Sequence, residues 1–546
     1  MEKPVLIIGG GIAGISAAIE LLDRNQAVIM FDRDTRENLG GLARWSMGGL
    51  FFVNSPIQQK RGIKDHESKA MQDWEAVAAF GPDDYWPRKW AETYISSCTP
   101  EVYEWVTDLG VRFIPSPQWV ERGLYTPGNS VPRFHVTWGL GQGLIEALTN
   151  RLFSHPNLDQ FSLHNRCKVT DFTTKAGHIK GIRGINEANG EEFEQEGGAV
   201  IVATGGLTGN LKLLRANWHQ GLGTPPPTIL NGGHKFGDGL LHMAAEKQGA
   251  NLTHLDKIWM YAGGVKYSGN AAPYNGLSLV PPKSALWLNA HGERIGPLPL
   301  VSGYDTRQLV EAVCQEPRQY SWQVMNMKIA AKELRISGSE YNEAARERRK
   351  LDFIKGVLFG DKALVQRLIH ECEDIVVAPT VDELARKMNA LIGEKLIDPS
   401  RLQTTISSYD LQTLLPKKLQ NDEQLRRIHH LRQYFGDKLR TCSPAPILRP
   451  SDGPLIAIRE FILARKTLGG IQTNLNGEVL TEQGTPISGL FAIGEAAGFG
   501  GGGIHGLRSL EGTFLGSSIL TGRVTGAYLA GQKTSIAQGS SDSVVA

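Results

Sequence analysis

The chain has 546 residues, of which 41% are hydrophobic and 21% are charged, as in an ordinary globular protein. It is too long for a single hydrophobic core, so we expect two or more domains. The formal net charge of +2 argues against a broad nucleic-acid surface. No apolar run reaches the roughly eighteen residues that a transmembrane helix needs, so we expect no membrane span.

The cysteines and the first residues bear on the compartment. The five cysteines lie far apart and form no CxxC pair, so a disulfide framework, a zinc site and an iron–sulfur cluster lack support. The first predicted strand begins at Val5, which leaves no room for a cleaved signal peptide. We therefore expect a cytoplasmic protein without a bound metal.

The chain begins with a predicted strand, a glycine turn, a helix and a second strand. Pro4–Ile8 is an apolar run typical of a buried parallel strand, and Ile15–Leu22 has small and apolar residues at helical spacing. The second strand, Ala27–Phe31, ends at the acidic residue Asp32. The turn has the pattern G-x-G-x-x-G, and we expect it to bind a diphosphate through Gly9, Gly11, Ile12, Ala13 and Gly14.

Each part of this segment has a physical role in binding a nucleotide. Gly9 permits the tight turn, Gly11 lets the backbone approach a pyrophosphate, and Gly14 lets the helix lie close to the strand. The helix N-terminus offers N–H groups to the phosphates, and Asp32 can accept hydrogen bonds from the ribose hydroxyls. The segment alone fits both FAD and NAD, and a glycine turn that binds nothing is the alternative.

A second glycine-rich segment favours a flavin. Residues 38–49 contain two Gly-Gly pairs around a short stretch with one small hydroxyl. A flat flavin ring needs such backbone, because Cβ atoms would collide with it. An ordinary glycine-rich loop is the alternative. The flavin contacts expected here are Gly40, Gly41, Leu42, Ala43, Ser46, Gly48 and Gly49.

Two later strands also lead into glycine turns. Ala199–Ala203 is a predicted buried strand followed by two glycines, and Leu490–Ile493 leads into Gly494–Gly498 and a helix near Thr513–Leu529. No acid-tipped strand follows the last turn. We therefore interpret it as a loop against a flavin rather than as a second nucleotide site.

Together these segments resemble the flavoprotein family that contains fumarate reductases, succinate dehydrogenase flavoprotein subunits and 3-ketosteroid dehydrogenases. Residues Asn38–Asp65 and Asn129–His135 are most similar to the bacterial FAD-binding dehydrogenases allied to the ketosteroid enzymes. The matching segments keep the order of the family along almost the whole chain: Gly9–Gly14, Gly40–Gly49, Ala203–Gly206, Gly237–Gly239, Gly469–Gly470 and Gly494–Arg523.

The resemblance implies an α/β fold, with a Rossmann-like FAD-binding domain and an inserted α+β cap domain. The FAD-binding domain would comprise residues 1–254 and 455–532, and the cap residues 255–454, with the site in the cleft between them. Two helix starts are predicted in the cap, a capping box at Thr380 and an N-cap at Asp398 before Pro399. We expect residues 533–546, rich in small and polar residues, to form a disordered tail.

The resemblance also implies how FAD is held. It assigns Glu495 to the ribose or ribityl chain. Succinate dehydrogenases attach FAD to a histidine in the first Gly-Gly loop, and no histidine occurs between Asn38 and Val53, so FAD should be noncovalent. Further FAD contacts implied by the resemblance are Ala203, Thr204, Gly205, Asp238, Gly494, Gly512 and Leu515.

Flavin chemistry on carbon needs a proton handler and a group that polarises the activating carbonyl. Tyr304, followed by Asp305, loosely matches the catalytic tyrosine of the ketosteroid dehydrogenases, and Tyr125 loosely matches another of their active-site tyrosines. Arg307 aligns approximately with the proton-donating arginine of fumarate reductases. Ordinary half-buried tyrosines and a surface arginine are the alternatives.

The last third of the chain adds a basic cluster formed by Arg465, Lys466, His505 and Arg508. Such donors could hold a carboxylate or polarise a ketone. His505 matches the fumarate reductases, whereas the ketosteroid 1-dehydrogenases place a polarising tyrosine where Leu507 aligns. This difference argues against Δ1-dehydrogenation of steroids.

Three functions follow from these observations. The leading one is an FAD-dependent dehydrogenase of a CH–CH bond next to a carbonyl, with a steroid or other enone or ketone as substrate. The second is a fumarate-reductase-like enzyme that hydrogenates an activated double bond in a small acid. The third is a flavin-binding redox sensor without turnover. The chain has no CxxCH haem motif, so an enzyme would use an external electron acceptor or donor.

Overall fold

The computed structural model describes residues 3–267 and 274–531, and the chain divides into two compact units. The described residues of the first unit are 3–217, Gly233–Trp259 and 466–531. The second unit comprises Trp218–Gly232 and Met260–Arg465. The expected cap, residues 255–454, differs from this unit, which begins at Met260, extends to Arg465 and includes Trp218–Gly232. The tail expected from residue 533 lies outside the described residues.

A six-stranded sheet forms the centre of the first unit. Val5–Ile8 pairs in parallel with Val28–Phe31 on one side and with Ala199–Val202 on the other. All four residues of the first strand are buried, as expected for a parallel strand with both faces covered. From edge to edge the strands are Glu478–Leu480, Pro486–Ala492, Ala199–Val202, Val5–Ile8, Val28–Phe31 and Phe161–His164.

Two helices from opposite ends of the chain pack together in this unit. Helix Ile12–Leu22 follows the first strand, and helix Thr513–Leu529 lies against it. A Cβ atom on Gly522 would lie 2.4 Å from the carbonyl oxygen of Ala13, so glycine is needed for this approach. Further helices are Gly41–Arg44, Pro56–Lys60, Glu67–Ala78, Tyr85–Ser97, Glu104–Asp108, Leu140–Phe153, Leu211–Ala216 and Leu240–Lys247, with a π-helix at Cys98–Tyr103.

Smaller antiparallel sheets accompany the central one. A three-stranded sheet is formed by Cys167–Lys175, His178–Asn186 and Glu192–Glu196. Apolar side chains of the first two of these strands join the buried core of the central sheet. Two short pairs are Gly49–Phe51 with Phe134–Val136 and Leu252–Thr253 with Gly470–Ile471.

The sheet of the second unit is organised on the long strand Leu455–Thr467. Ser321–Asn326 and Ile375–Ala378 pair with it in antiparallel orientation, and Ile229–Asn231 pairs in parallel. The other strands of this sheet are Ile258–Lys266, Gly276–Val280, Leu286–Leu288 and Arg335–Ile336. The helices are Thr306–Gln315, Met327–Glu333, Glu343–Arg346, Lys350–Phe359, Lys362–Glu371, Val381–Ile392, Pro399–Leu414, Glu423–Leu431 and Phe435–Arg440.

Both helix starts predicted in the insertion are confirmed. The side chain of Thr380 accepts a hydrogen bond from the N–H of Glu383, and Asp398 accepts one from Arg401. These bonds satisfy backbone N–H groups that the first helical turn leaves without partners. Of the helices in the described part of the chain, none is long and apolar enough to cross a bilayer.

The stretch that ends at His135 forms a buried polar network in the first unit. Arg133 is fully buried, and its guanidinium donates two hydrogen bonds of 2.8 Å to Asp65 and one of 2.5 Å to Asp73. The ring of His135 lies 2.8 Å from the hydroxyl of Ser55, and burial lowers the pKa of His135 to about 4. A buried charge of this kind is tolerated only while its partners are in place.

We predict that Arg133→Met lowers the free energy of unfolding by about 3–5 kcal/mol, because it leaves two buried carboxylates without a counter-charge. Urea unfolding followed by circular dichroism measures the change. Glu196→Gln, which removes the exposed ion pair with Lys3, serves as the control and should not shift the curve measurably. An unchanged unfolding curve for Arg133→Met would show that the network does not stabilise the fold.

Candidate functional site

Close backbone approach shapes the first turn of the chain. Gly9 has a φ of +107°, and a Cβ atom there would lie 2.4 Å from the carbonyl oxygen of Ala203. A Cβ on Gly14 would lie 2.1 Å from the carbonyl oxygen of Gly9. A Cβ on Gly11, in contrast, would meet nothing nearer than 4.0 Å. Gly11 therefore leaves bare backbone beside the N-terminus of helix Ile12–Leu22, where a diphosphate can bind.

Asp32 is fixed beside this turn. Its carboxylate accepts hydrogen bonds from the N–H groups of Gly10 at 2.5 Å and Asp34 at 2.7 Å. Burial raises the pKa of Asp32, and these two hydrogen bonds oppose that rise. The side chain lies at the carboxyl end of the second strand, which is the position that binds a ribose in dinucleotide folds.

The glycine-rich loop at residues 40–49 returns to the first turn. The N–H of Gly40 donates to the carbonyl oxygen of Gly10 at 2.8 Å. Gly41 lies so near that its Cβ would be 3.6 Å from the Cα of Gly11. Ser46 donates its hydroxyl within the loop, to the carbonyl oxygen of Ala43. The loop thus borders the diphosphate position with backbone rather than with side chains.

The turn around Glu495 belongs to the same region of the first unit. The carboxylate of Glu495 accepts the N–H of Thr467 at 2.8 Å. A Cβ on Gly206 would lie 2.4 Å from that carboxylate, and a Cβ on Gly494 would lie 2.8 Å from the Cβ of Ala13. Three glycine turns from distant parts of the chain therefore surround the start of the first helix, and this backbone cradle fits FAD.

The structure places all the predicted FAD contacts in the first unit. Asp238, in addition, accepts a hydrogen bond of 3.0 Å from Arg33. The carbonyl oxygen of Gly512 accepts one of 2.9 Å from Phe51. These contacts are Gly9, Gly11, Ile12, Ala13, Gly14, Asp32, Gly40, Gly41, Leu42, Ala43, Ser46, Gly48, Gly49, Ala203, Thr204, Gly205, Asp238, Gly494, Glu495, Gly512 and Leu515.

Lys466 lies among aromatic rings and one carboxylate in the first unit. Its ammonium is 3.8 Å from the centroid of the Phe514 ring and 3.9 Å from a carboxylate oxygen of Glu511. The other carboxylate oxygen of Glu511 accepts the indole N–H of Trp259 at 2.9 Å. Lys466 is also adjacent in sequence to Thr467, which contacts Glu495. A cation is thus held next to the expected flavin region and largely out of water.

His505 is a buried, neutral ring close to Lys466. It stacks on Trp74 with centroids 5.6 Å apart and meets Phe514 edge to face at 4.7 Å. Burial lowers the pKa of His505 well below its usual value, and the positive charge of Lys466 adds to this effect. Nδ1 lies 3.3 Å from the hydroxyl of Thr513, whereas Nε2 has no hydrogen-bond partner among the described residues. His505 therefore carries no positive charge for a substrate carboxylate.

Two predicted catalytic residues lie in the helical part of the second unit. Tyr304 is 7% exposed, and its hydroxyl lies 2.9 Å from Nδ1 of His430 and 3.1 Å from the carbonyl oxygen of Arg427. Arg307 is buried, and its Nε donates to Glu311 at 2.8 Å. Tyr304 thus has an imidazole within hydrogen-bond distance, whereas the guanidinium of Arg307 is paired on its own helix.

Arg465, the third predicted catalytic residue in the second unit, lies near a cluster of tyrosines. Burial and the neighbouring Glu340 raise the pKa of Tyr274 to about 12, and the positive charge of Arg465 opposes this rise. Glu340 also accepts a hydrogen bond from Tyr267. Arg465 itself is buried. The cluster lies in the same unit as Tyr304 and Arg307.

Tyr125 stands apart from these clusters. Its side chain is 69% exposed, on a loop of the first unit. The structure brings Lys466 and His505 together in that unit, and it places Tyr304, Arg307 and Arg465 in the other. The predicted catalytic residues therefore form two groups, and Tyr125 belongs to neither.

Sequence reasoning missed several members of these clusters. Glu511 lies in the matching segment Gly494–Arg523, but Trp259 is 252 positions away, and no pattern in the sequence pairs the two. The same is true of Tyr274 and Glu340, which meet only through the fold of the second unit. His430 follows His429 on the charged helix Glu423–Leu431, and a charged pattern of this kind is typical of a solvated face, so the sequence does not indicate the contact with Tyr304.

Comparisons with known proteins identify the family of the chain. The sequence profile of the FAD binding domain family matches residues 4–515. A KsdD-like steroid dehydrogenase of Mycolicibacterium smegmatis is 39% identical over 532 residues, which cover 94% of this chain and 96% of that protein.

Solved structures show the same fold at lower identity. The 3-ketosteroid-Δ4-(5α)-dehydrogenase of Rhodococcus jostii RHA1 matches with a TM-score of 0.63 and 21% identity, covering 97% of both chains. A flavocytochrome c3 fumarate reductase matches with a TM-score of 0.67 and 20% identity, covering 97% of this chain and 78% of that one. The expected Rossmann-like α/β fold is confirmed. The chain therefore belongs to the FAD binding domain family and is an FAD-dependent oxidoreductase.

Proposed function

We propose that the protein dehydrogenates a CH–CH bond next to the carbonyl of an apolar ketone of the 3-ketosteroid class. The observation that carries this proposal is the setting of Lys466, a single ammonium beside Phe514 and close to buried aromatic rings. An apolar ketone has one polar oxygen on an apolar body, and this setting matches it. The whole-length similarity to a KsdD-like steroid dehydrogenase supports the same substrate class.

The contacts of Lys466 and His505 favour a ketone oxygen over a small dicarboxylic acid. Two carboxylates need more than one cationic donor. Here the carboxylate of Glu511 lies 3.9 Å from the ammonium of Lys466 and would repel an acid. His505 adds no positive charge, because burial keeps its ring neutral. A ketone oxygen, which carries only partial negative charge, does not meet this repulsion.

We propose that FAD binds without a covalent link, since no histidine lies between Asn38 and Val53. The glycine turns at residues 9–14 and 40–49 would hold the diphosphate and the ring, and Asp32 and Glu495 would bind the sugar hydroxyls. When bound, FAD supplies an acceptor for the hydride that leaves the substrate carbon. An external electron acceptor then removes the two electrons.

The residues of the chain would handle the proton and the carbonyl. Lys466 would hold the carbonyl oxygen and acidify the neighbouring C–H bond. On its resemblance to the ketosteroid dehydrogenases, Tyr304 is our proposed acceptor of the proton that the substrate loses. His430, whose Nδ1 lies 2.9 Å from the Tyr304 hydroxyl, would accept the hydroxyl proton in turn. Loss of one hydride and one proton leaves a carbon–carbon double bond, so atoms and electrons balance.

We predict that 3-ketosteroids bleach the visible absorbance of the FAD-loaded protein under anaerobic conditions, and that an artificial electron acceptor restores it. Fumarate and related acids should leave the reduced flavin unchanged. Stopped-flow absorbance measures both reactions. Reoxidation by small acids without any bleaching by ketones would contradict the proposal, and silence toward both panels would indicate a flavin-binding protein without turnover.

We predict that Lys466→Met lowers kcat/KM for ketone dehydrogenation by about 10²–10³, because one preorganised donor to the developing oxyanion is lost. Lys466→Arg should recover part of the rate, and the FAD content should match the wild type in both variants. Lys89→Met, which removes a surface ammonium paired with Glu92, is the control. Equal rates for Lys466→Met and the control would exclude Lys466 from the reaction.

We predict that Tyr304→Phe slows flavin reduction by about 10²–10⁴ while FAD remains bound, because a positioned proton acceptor is removed. Single-turnover reduction, with FAD content from absorbance, separates chemistry from cofactor loss. Tyr409→Phe removes another buried hydroxyl of the second unit and should leave the rate unchanged. A wild-type rate in Tyr304→Phe would remove this tyrosine from the mechanism.

A further inference from the structure

Helix Lys350–Phe359 of the second unit has an apolar sequence and no fully buried residue. Leu351 is 74% exposed, Ile354 41% and Leu358 46%. Phe359, at the end of the helix, is 80% exposed. Burial of large apolar side chains is the main source of folding free energy, so four of them exposed on ten residues call for a binding partner.

Three of these side chains form one stripe, and Phe359 lies beside it at the end of the helix. Leu351, Ile354 and Leu358 are three and four positions apart, which places them on the same face of a helix. Lys350 borders this face on one side and Lys355 on the other, each about 40° beyond the nearest apolar residue at 3.6 residues per turn. Both lysines are exposed, and neither forms an ion pair with any described residue. The outward face is therefore apolar at its centre and positive along both edges.

The opposite face holds the helix in place. Phe353 and Val357 are half-buried toward the second unit. Lys332 donates hydrogen bonds of 2.6 and 2.7 Å to the carbonyl oxygens of Val357 and Leu358, and thereby caps the C-terminal turn. Asp352 is neutralised by Arg349 at 3.1 Å. These contacts hold the helix on the second unit. The stripe is therefore exposed in the folded protein.

The neighbouring helix extends the same kind of surface. Helix Phe435–Arg440 packs on helix Lys350–Phe359, and its first residue, Phe435, is 59% exposed. Exposed Lys438 on that helix, and exposed Lys362 just after the first, also form no ion pair with described residues. Apolar side chains surrounded by free ammonium groups are typical of helices that lie in a membrane interface.

We propose that this stripe binds the surface of an anionic lipid bilayer. The helix is about 15 Å long at 1.5 Å per residue, which is too short to span a bilayer but long enough to lie in its headgroup region. A second copy of the chain fits the stripe less well, because a two-fold contact would bring Lys350 and Lys355 against the same lysines of the other copy. The proposal rests on exposure and charge and does not depend on the substrate.

Vesicle flotation with the FAD-loaded, full-length protein tests the proposal. We expect binding to vesicles of phosphatidylcholine with phosphatidylglycerol, and at least tenfold weaker binding to phosphatidylcholine alone. The triple variant Leu351→Gln, Ile354→Gln, Leu358→Gln should bind the anionic vesicles at least tenfold more weakly. The matched triple methionine variant, which keeps the stripe apolar at similar helix propensity, should bind like the wild type.

Charge is tested separately with Lys350→Gln, Lys355→Gln, which should weaken anionic-vesicle binding about tenfold and reduce its salt dependence. FAD content and the urea unfolding curve should be the same in all variants, since the altered side chains are exposed. The proposal would be overturned if the wild-type protein floated with neither kind of vesicle, or if the glutamine variant bound like the methionine variant. It would also be overturned if the wild-type protein were a dimer and the glutamine variant a monomer.

Discussion

The cofactor site depends on three chain segments that approach one another more closely than side chains allow. Gly9 lies against the carbonyl of Ala203, and Gly206 lies against the carboxylate of Glu495. A Cβ atom on Gly9 would come within 2.4 Å of the backbone oxygen of Ala203, so the backbone there would have to move, whereas a Cβ atom on Gly206 would displace the carboxylate of Glu495. Because Gly9 belongs to the turn that we propose binds the diphosphate, movement of the backbone there would also displace the N–H groups offered to the phosphates. Fold and cofactor binding are thus set by the same glycines.

Lys466 and His505, which lie near the glycine turns, differ in charge. Glu511 and the face of Phe514 compensate for the removal of the Lys466 ammonium from water. His505, a few ångströms from the same ring, has no counter-charge and is neutral. The contrast follows from desolvation, since burial disfavours the charged form of any group that lacks an opposite charge nearby. An ammonium next to a neutral imidazole is suited to a reaction in which one weakly negative oxygen must be stabilised.

Features set by local sequence could be predicted. The strand found at Val5–Ile8 and the helix at Thr513–Leu529 agree with their apolar patterns, and the N-cap at Asp398 agrees with the proline after it. The first helix begins at Ile12, three residues before the predicted start, because Gly11 serves as its N-cap and brings the glycine pattern into the helix. The family resemblance, which rests on the glycine turns, is likewise confirmed.

Features set by distant contacts could not be predicted. Arg133 meets Asp65 across 68 positions and Trp259 meets Glu511 across 252, and no periodicity relates such pairs. The segment Trp218–Gly232 belongs to the second unit because Ile229–Asn231 pairs with the strand Leu455–Thr467, more than two hundred residues later. Proton-handling residues are the hardest to predict from sequence, because their roles depend on neighbours, such as His430, that are brought close only by the tertiary structure.

Strand Pro486–Ala492 completes the central sheet beside Ala199–Val202, and Arg523 pairs with Glu20 from 503 positions earlier. A ribosome adds about 5–20 residues per second, so the early strands emerge tens of seconds before their last neighbour is synthesised. Throughout that interval the nascent sheet has an apolar edge without its native cover, which is the kind of surface that chaperones recognise. Translation speed and chaperone supply should therefore govern how much of this protein matures in a heterologous host.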